Sequence, residues 1–189
     1  MTKGIILAAG ASFRLGHPKQ LVMLPNGLTV LQNTVQCMLS NDLETYVILG
    51  SNSELVSNSL KEYNVKTLIN EQWSKGMGSS IGYSISSIPS ETTSVVISVC
   101  DQPYLDRHII QSLVDTFHST DSSIVASQYR NGKIGVPAIF DKSLFPKLIQ
   151  LSGDMGAKKL IRESSSITTI DFPKGEVDID EKKDINFYK

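Results

Sequence analysis

The 189-residue sequence predicts a three-layer α/β domain built on a mainly parallel sheet, and three observations carry that expectation. Short apolar, β-branched runs recur along the chain. Segments with helical spacing lie between most of them. No Pro/Gly/Ser linker, repeat or low-complexity tract divides the sequence, so residues 1–189 read as one domain with a single sizeable core.

The first run, GIILAA (4–9), is a buried strand rather than the core of a leader, because only Lys3 precedes it and Arg14 soon interrupts it. Val30, Val35, Met38 and Leu39 mark one face of the helix that follows. Strands are expected at TYVILG (45–50) and VKTLI (65–69), with a helix capped by Ser79 or Ser80 running through Ile85. SVVISVC (94–100) is the next strand. Asp106 is placed to cap a helix whose face is Ile109, Ile110, Leu113, Val114 and Phe117. Strands at SSIVASQ (122–128) and VPAIF (136–140) follow, then a helix start in SGDMGAKKLIRE (152–163) capped by Ser152 or Asp154. SITTIDF (166–172) closes the set.

Composition removes several classes of function. A hydrophobic share of 40% and a charged share of 20% are ordinary for a globular protein. With a net charge of −1, the chain has no global field for nucleic acid. No stretch approaches the ~20 apolar residues of a membrane-spanning helix, so neither nucleic acid nor membrane is an expected partner. Cys37 and Cys100 lie far apart, without CxxC or Cys/His zinc spacing, and read as small buried hydrophobes in a reducing, cytoplasmic compartment.

In such sheets ligands collect at the carboxyl ends of the strands. The loops after Ala9, Ile69 and Cys100 are therefore expected to share one crevice, and they are also the chemically unusual loops. The first, Gly10-Ala11-Ser12-Phe13-Arg14-Leu15-Gly16 with Pro18 and Lys19, matches neither GxxxxGK[ST] nor GxGxxG. Its exposed amides suit an anion nest, with Arg14 and Lys19 as phosphate clamps; an ordinary turn with solvated cations is the competing reading. The second, NEQWSKGMGSS, sets Gly76 and Gly78 around Met77 beside the chain's one tryptophan, Trp73. These glycines permit close backbone approach, to a ligand or within a tight turn. Asp101 follows a hydrophobic strand directly, where a carboxylate can hold a hard cation together with substrate phosphates. Near the C-terminus, alternation in Glu176-Val177-Asp178-Ile179-Asp180-Glu181 places Asp178 and Asp180 on one side, as partners for Asp101 or as a solvated charge run. His17, His108 and His118 have no metal-ligand spacing, and no Ser/His/Asp or Cys/His arrangement supports a covalent nucleophile.

Taken in order, LAAGASFRLGHPKQL, NEQWSKGMGSSI, CDQP, GVPAIF, GDMGA and DID resemble the MobA-like nucleotidyltransferases, above all the branch that acts on molybdenum cofactor with CTP. The resemblance covers nearly the whole chain. It implies a Rossmann-like, GT-A-type α/β/α fold with a mixed sheet, a Mg²⁺ cofactor, and transfer of CMP from CTP to the terminal phosphate of molybdopterin cofactor with loss of pyrophosphate. By matching position, Leu7, Ala8, Ala9, Gly10, Arg14, Gly16 and Lys19 would hold the triphosphate, with Gly78 and Ser79 at the base. Arg14, Lys19 and Asp101 would be catalytic, and Asp101 and Asp180 would hold the metal, with Asp178 as the alternative acid. This acidic segment reads DIDEKKD and lacks the family's Thr-Pro. Trp73, Gly76, Met77, Ser80, Gln102, Gly153 and Asp154 fall in the region that would receive the acceptor. The product would pass by transient contact to a molybdoenzyme or its chaperone. GTP as donor, another phosphorylated acceptor, and non-catalytic nucleotide or cofactor delivery are the alternatives; the missing GxGxxG disfavours an NAD-dependent oxidoreductase.

Overall fold

A computed structural model describes residues 1–164 and 166–185. The chain enters along β1 (Thr2–Ala8), whose residues after Thr2 are all buried because neighbouring strands and both flanking layers enclose it. Among the described residues seven strands form one sheet in the order β3-β2-β1-β4-β6-β5-β7. These are β2 (Glu44–Leu49), β3 (Lys66–Ile69), β4 (Ser94–Val99), β5 (Ile124–Gln128), β6 (Ile134–Asp141) and β7 (Ile167–Asp171). Only β6 runs against its neighbours; the pairs β1–β2, β1–β4, β2–β3 and β5–β7 are all parallel. Each strand corresponds to one apolar run of the sequence, and the sheet is mixed and mainly parallel as expected.

Alternation along β1 sends Ile6 and Ala8 to one face and Ile5 and Leu7 to the other. The first face is covered by α1 (Val30–Leu39), α2 (Ser53–Asn58) and α4 (Arg107–Ser119) through Leu31, Val35, Val56, Ile110 and Leu113. The second face is covered by α3 (Met77–Ser87), α5 (Phe145–Ile149) and α6 (Lys158–Glu163) through Ile81, Ile85, Leu148, Leu160 and Ile161. Three layers result. A short α7 (Lys182–Ile185) follows the acidic segment. Among the described residues no helix is long and apolar enough to cross a membrane.

Asp106 caps α4 as expected, its Oδ1 accepting from the amides of His108 and Ile109. Two other helix starts differ from the expectation. Helix α3 begins earlier, with Gly76 at its N-cap and a φ of +100° that only glycine adopts readily. Ser79 and Ser80 therefore lie in its first turn, where Asn70 Nδ2 donates to both hydroxyls and Ser79 Oγ donates to the Gln72 carbonyl. Neither Ser152 nor Asp154 caps α6, which starts beyond them with Ala157 at its N-cap. Residues 149–154 instead pass close against α3. A Cβ on Gly78 would lie 2.6 Å from the Ser152 nitrogen, and one on Gly82 would lie 2.8 Å from the Ile149 carbonyl oxygen. The small residues of GMGSSIG are there for backbone contact.

At the opposite end of the sheet the Lys3 ammonium is almost fully buried and bonds to Glu44, which also accepts from Lys66 Nζ at 2.5 Å and Tyr46 Oη at 2.8 Å. Lys3, then Lys66 and Tyr46, hold the Glu44 carboxyl down at about 2.

Two outcomes follow from this packing. Gly78→Ala should gain up to about 1 kcal/mol in helix propensity yet lose about 1–3 kcal/mol overall, because the Ser152 backbone cannot yield as a flexible side chain would. Thermal denaturation checks this, and a variant as stable as wild type contradicts it. Glu44→Gln leaves Lys3 without its anion; with the carboxylate partly in water the loss at pH 7 is about 1 kcal/mol. The depressed carboxyl contributes stability above its unfolded value of about 4.3, and that contribution fades as pH falls toward 2. Denaturant titrations should therefore show the wild-type advantage shrinking between pH 5 and 3; a constant gap would remove the ion pair as its cause.

Candidate active site

The loops after β1, β3 and β4 meet at the carboxyl end of the sheet. The first is drawn tight by a turn at Ser12 (φ +55°), whose carbonyl accepts from the amides of Leu15 and Gly16. Leu15 is buried with Val22, Leu24 and Val30 in a small satellite cluster. Gln20, fully buried, donates to the Ala8 carbonyl at 2.7 Å and the Gly10 carbonyl at 3.0 Å. The Ser12 hydroxyl accepts from the Lys19 amide at 3.0 Å. The loop's amides and its lysine are thus fixed by buried neighbours.

The same satellite cluster takes in Ile179, whose side chain is fully buried and whose amide donates to the Asp101 carbonyl at 2.9 Å. Anchoring Ile179 turns the flanking acids toward the strand end. Lys19 Nζ donates to Asp101 Oδ2 at 2.5 Å and to Asp180 Oδ1 at 3.0 Å, and Arg14 donates to Asp180 Oδ2 at 3.0 Å. Burial alone would pull the Lys19 ammonium down, but Asp101 and then Asp180 outweigh it and hold the group above the ordinary lysine range. Asp180 is kept below its usual value because Lys19 and Arg14 outweigh its partial burial. Burial, reinforced by Asp101 and Asp180, pushes the Asp178 carboxyl up to about 7. The neighbouring Cys100 thiol, fully buried and beside Asp101, rises to about 12 and is no nucleophile.

Two adjoining cavities open here. One, of about 330 Å³, is lined by Ala9, Gly10, Lys19, Trp73, Gly76 and Ser80. The other, of about 190 Å³, is lined by Gln102, Tyr129, Val136, Lys158, Gly175 and Asp178. Leu7, Met77, Val99, Asp101 and Asp154 border both. Asp101 therefore stands on the shared wall.

Most of the residues singled out in the sequence gather at this junction. Trp73, Gly76, Met77 and Ser80 border the same cavity as Ala9 and Gly10, while Gln102 lies on the other. Gly78, Ser79 and Gly153 border neither: Gly78 packs on Ser152, the Ser79 hydroxyl donates to the Gln72 carbonyl and accepts from Asn70, and the Gly153 carbonyl accepts from the Gly78 amide. Ala8 contributes a carbonyl to Gln20, Gly16 a positive-φ turn position, and Arg14 an exposed guanidinium. Tyr129, Gly175 and Gln20 were not among the candidates. Nothing in SQYRNGK or PKGE signals a site, so only the fold brings in Tyr129 and Gly175; Gln20 lies within the first-loop motif.

A divalent cation fits these groups. Asp101 Oδ1 is buried without a hydrogen-bond partner, and Asp180 shares Lys19 with the other oxygen of Asp101. Among the described residues no three His, Cys, Asp or Glu side chains form a closed metal cage. Two hard carboxylates with room for phosphate oxygens suit Mg²⁺ or Mn²⁺, which keep open positions for substrate and water.

Comparison with known proteins places this geometry. Residues 4–168 match the model of the MobA-like NTP transferase domain. Nicotine blue oxidoreductase of Paenarthrobacter nicotinovorans is 29% identical over 167 residues, covering 85% of this chain and 81% of that protein. Rv0371c of Mycobacterium tuberculosis superposes with a TM-score of 0.86 at 25% identity, covering 99% of this chain and 96% of its own. The manganese complex of the same protein superposes with a TM-score of 0.80 at 23% identity, covering 99% and 97%. With its Rossmann-like sheet and a match over most of its length, the chain belongs to the MobA-like NTP transferase family.

Proposed function

We propose that this chain transfers CMP from CTP to the terminal phosphate of molybdopterin cofactor, with Mg²⁺, releasing pyrophosphate in the cytoplasm. One observation carries the reading: Asp101, ion-paired to Lys19, stands on the wall between two adjoining cavities, as a group serving both donor and acceptor must. The larger cavity, with the Ala9 and Gly10 backbone and Lys19, takes the nucleotide; the smaller takes the acceptor. Asp101 and Asp180 hold the divalent ion, which supplies positive charge against the phosphate oxygens. Manganese in the complex of Rv0371c is in keeping with a metal on this fold.

The chain's own residues mainly position and neutralise. Lys19, kept protonated by its two carboxylates, offers a permanent charge to the β- and γ-phosphates and to the departing pyrophosphate. Arg14, exposed and among the described residues paired with Asp180, is placed to join it. The acceptor phosphate is already an anion, so no base has to activate it, in keeping with a site that holds no competent cysteine nucleophile. The small Ala9 leaves room for a base close to the first loop, and a contact surface shaped to a pyrimidine would exclude a purine by size.

Incubation with Mg²⁺, molybdopterin cofactor and each nucleoside triphosphate should release pyrophosphate fastest with CTP. Equal kcat/KM for CTP and GTP, or a GTP preference, overturns the cytidylyl assignment. Asp101→Asn should keep its fold and lose at least about a hundredfold in turnover, because a lost metal ligand costs several kcal/mol and each ~1.4 kcal/mol is tenfold. Lys19→Ala should raise the KM for CTP, more so as salt is lowered. The relative named nicotine blue oxidoreductase favours a second reading, as a reductase. The first loop lacks the GxGxxG fingerprint, so a parallel assay should show no consumption of NADH or NADPH with nicotine blue; turnover there would move the chain to that reading.

A further inference from the structure

Residues 172–181 carry Asp178 and Asp180 past the end of β4, and their attachments are unlike those of an ordinary surface loop. The Gln102 side chain, next in sequence to Asp101, is almost fully buried. Its Nε2 donates to the Gly175 carbonyl at 2.6 Å and the Val136 carbonyl at 3.0 Å, and lies 3.2 Å from Tyr129 Oη. Two carbonyl acceptors on one atom fix the amide's orientation and commit both its N–H groups to backbone. Tyr129 Oη donates in turn to the Val136 carbonyl. The Tyr129 ring sits edge-on to Phe172, at 6.2 Å between centroids, and lies directly against the strap: a Cβ on Gly175 would come within 2.4 Å of it. Between this attachment and Asp180 the strap is tied once more, by the Ile179 amide on the Asp101 carbonyl.

We propose that Gln102 and Tyr129 form a positioning clamp that sets the strap's carboxylates against Asp101. Gln102 then acts through backbone rather than by touching the acceptor. The proposal rests on the reading that these carboxylates hold a divalent cation. Its logic is that Asp101 and Asp180 reach the ion from segments far apart in sequence, and Gln102 joins those segments at the residue beside Asp101. Groups that orient ligands in this way typically govern affinity by about 10- to 100-fold.

Two measurements test the clamp: hydrogen exchange at the Ile179 amide, and Mn²⁺ affinity of the nucleotide-free protein by electron paramagnetic resonance titration. Gln102→Leu should speed Ile179 exchange about tenfold or more and weaken Mn²⁺ about tenfold. Thr34→Val, which removes a buried hydrogen bond inside α1, serves as the stability control and should leave both unchanged. Gly175→Ala keeps Gln102 but pushes the strap off the Tyr129 ring, and should reproduce the Gln102→Leu result if that variant does not fold. Wild-type exchange at Ile179 in the Gln102 or Gly175 variant overturns the clamp. So does equal Mn²⁺ loss in Thr34→Val, which would make the effect one of general stability. A wild-type protein that binds no Mn²⁺ removes the metal reading alone, and the exchange arm still decides whether the strap is clamped.

Discussion

The ammonium of Lys19 lies between Asp101 and Asp180, and the crevice is arranged around that contact. It joins three segments far apart in sequence: the loop after β1, the end of β4 and the acidic strap. Lys19 and Arg14 bond Asp101 and Asp180 directly, while Asp178 lies beside them within the field of Lys19 and Lys158. Burial together with the two neighbouring carboxylates outweighs Lys19 and Lys158 and drives Asp178 up to about 7. Among the described residues one buried oxygen of Asp101 has no hydrogen-bond partner, which leaves it open to a hard cation.

Sheet topology determines where the second half of the site comes from. A purely parallel sheet would gather only βα loops at the carboxyl ends. Strand β6 runs against β4, with Ile97 opposite Ala138, so the start of β6 and the turn from β5 lie at that same end. Val136 arrives there by this reversal, whereas Tyr129 follows β5, which runs parallel to β4; both line the smaller cavity. The antiparallel strand thus contributes one wall of the smaller cavity, with Asp101 between it and the larger one.

How far the sequence revealed this depended on the range of the forces involved. The strands were legible because burial on both faces leaves unbroken apolar runs. Asp101 was legible because a carboxylate directly after such a run has little structural reason to be there. The side chosen by Asp178 and Asp180 followed from alternation, since Val177 and Ile179 pack inward. The starts of α3 and α6 were misread: Ser79 and Ser80 have strong capping propensity, but a positive-φ glycine and close contact with residues 149–154 moved the helix start upstream. At Gly78 the close approach is to the Ser152 backbone, and a glycine reads alike in sequence whether its near neighbour is ligand or backbone. Tyr129 and Gly175 had no local signature, because their roles exist only after distant segments meet.

What holds the loops of the crevice is chemically distinct from what faces the substrates. Each loop is fastened by a buried carboxamide. Gln20 takes the Ala8 and Gly10 carbonyls, Asn70 takes the Ser79 and Ser80 hydroxyls and the Gln72 amide, and Gln102 takes the Gly175 and Val136 carbonyls. A neutral amide can satisfy backbone groups without adding net charge, so it fixes a loop while leaving the local potential to the acids and bases. The charged pairs are partly exposed and paired with one another, and so can exchange partners when phosphate arrives. A charged anchor in place of any of these amides would sit within the field of Lys19 and the three acids and shift their balance. The neutral amides therefore hold the backbone of the loops, and the ion pairs among Lys19, Arg14, Asp101 and Asp180 set the local potential.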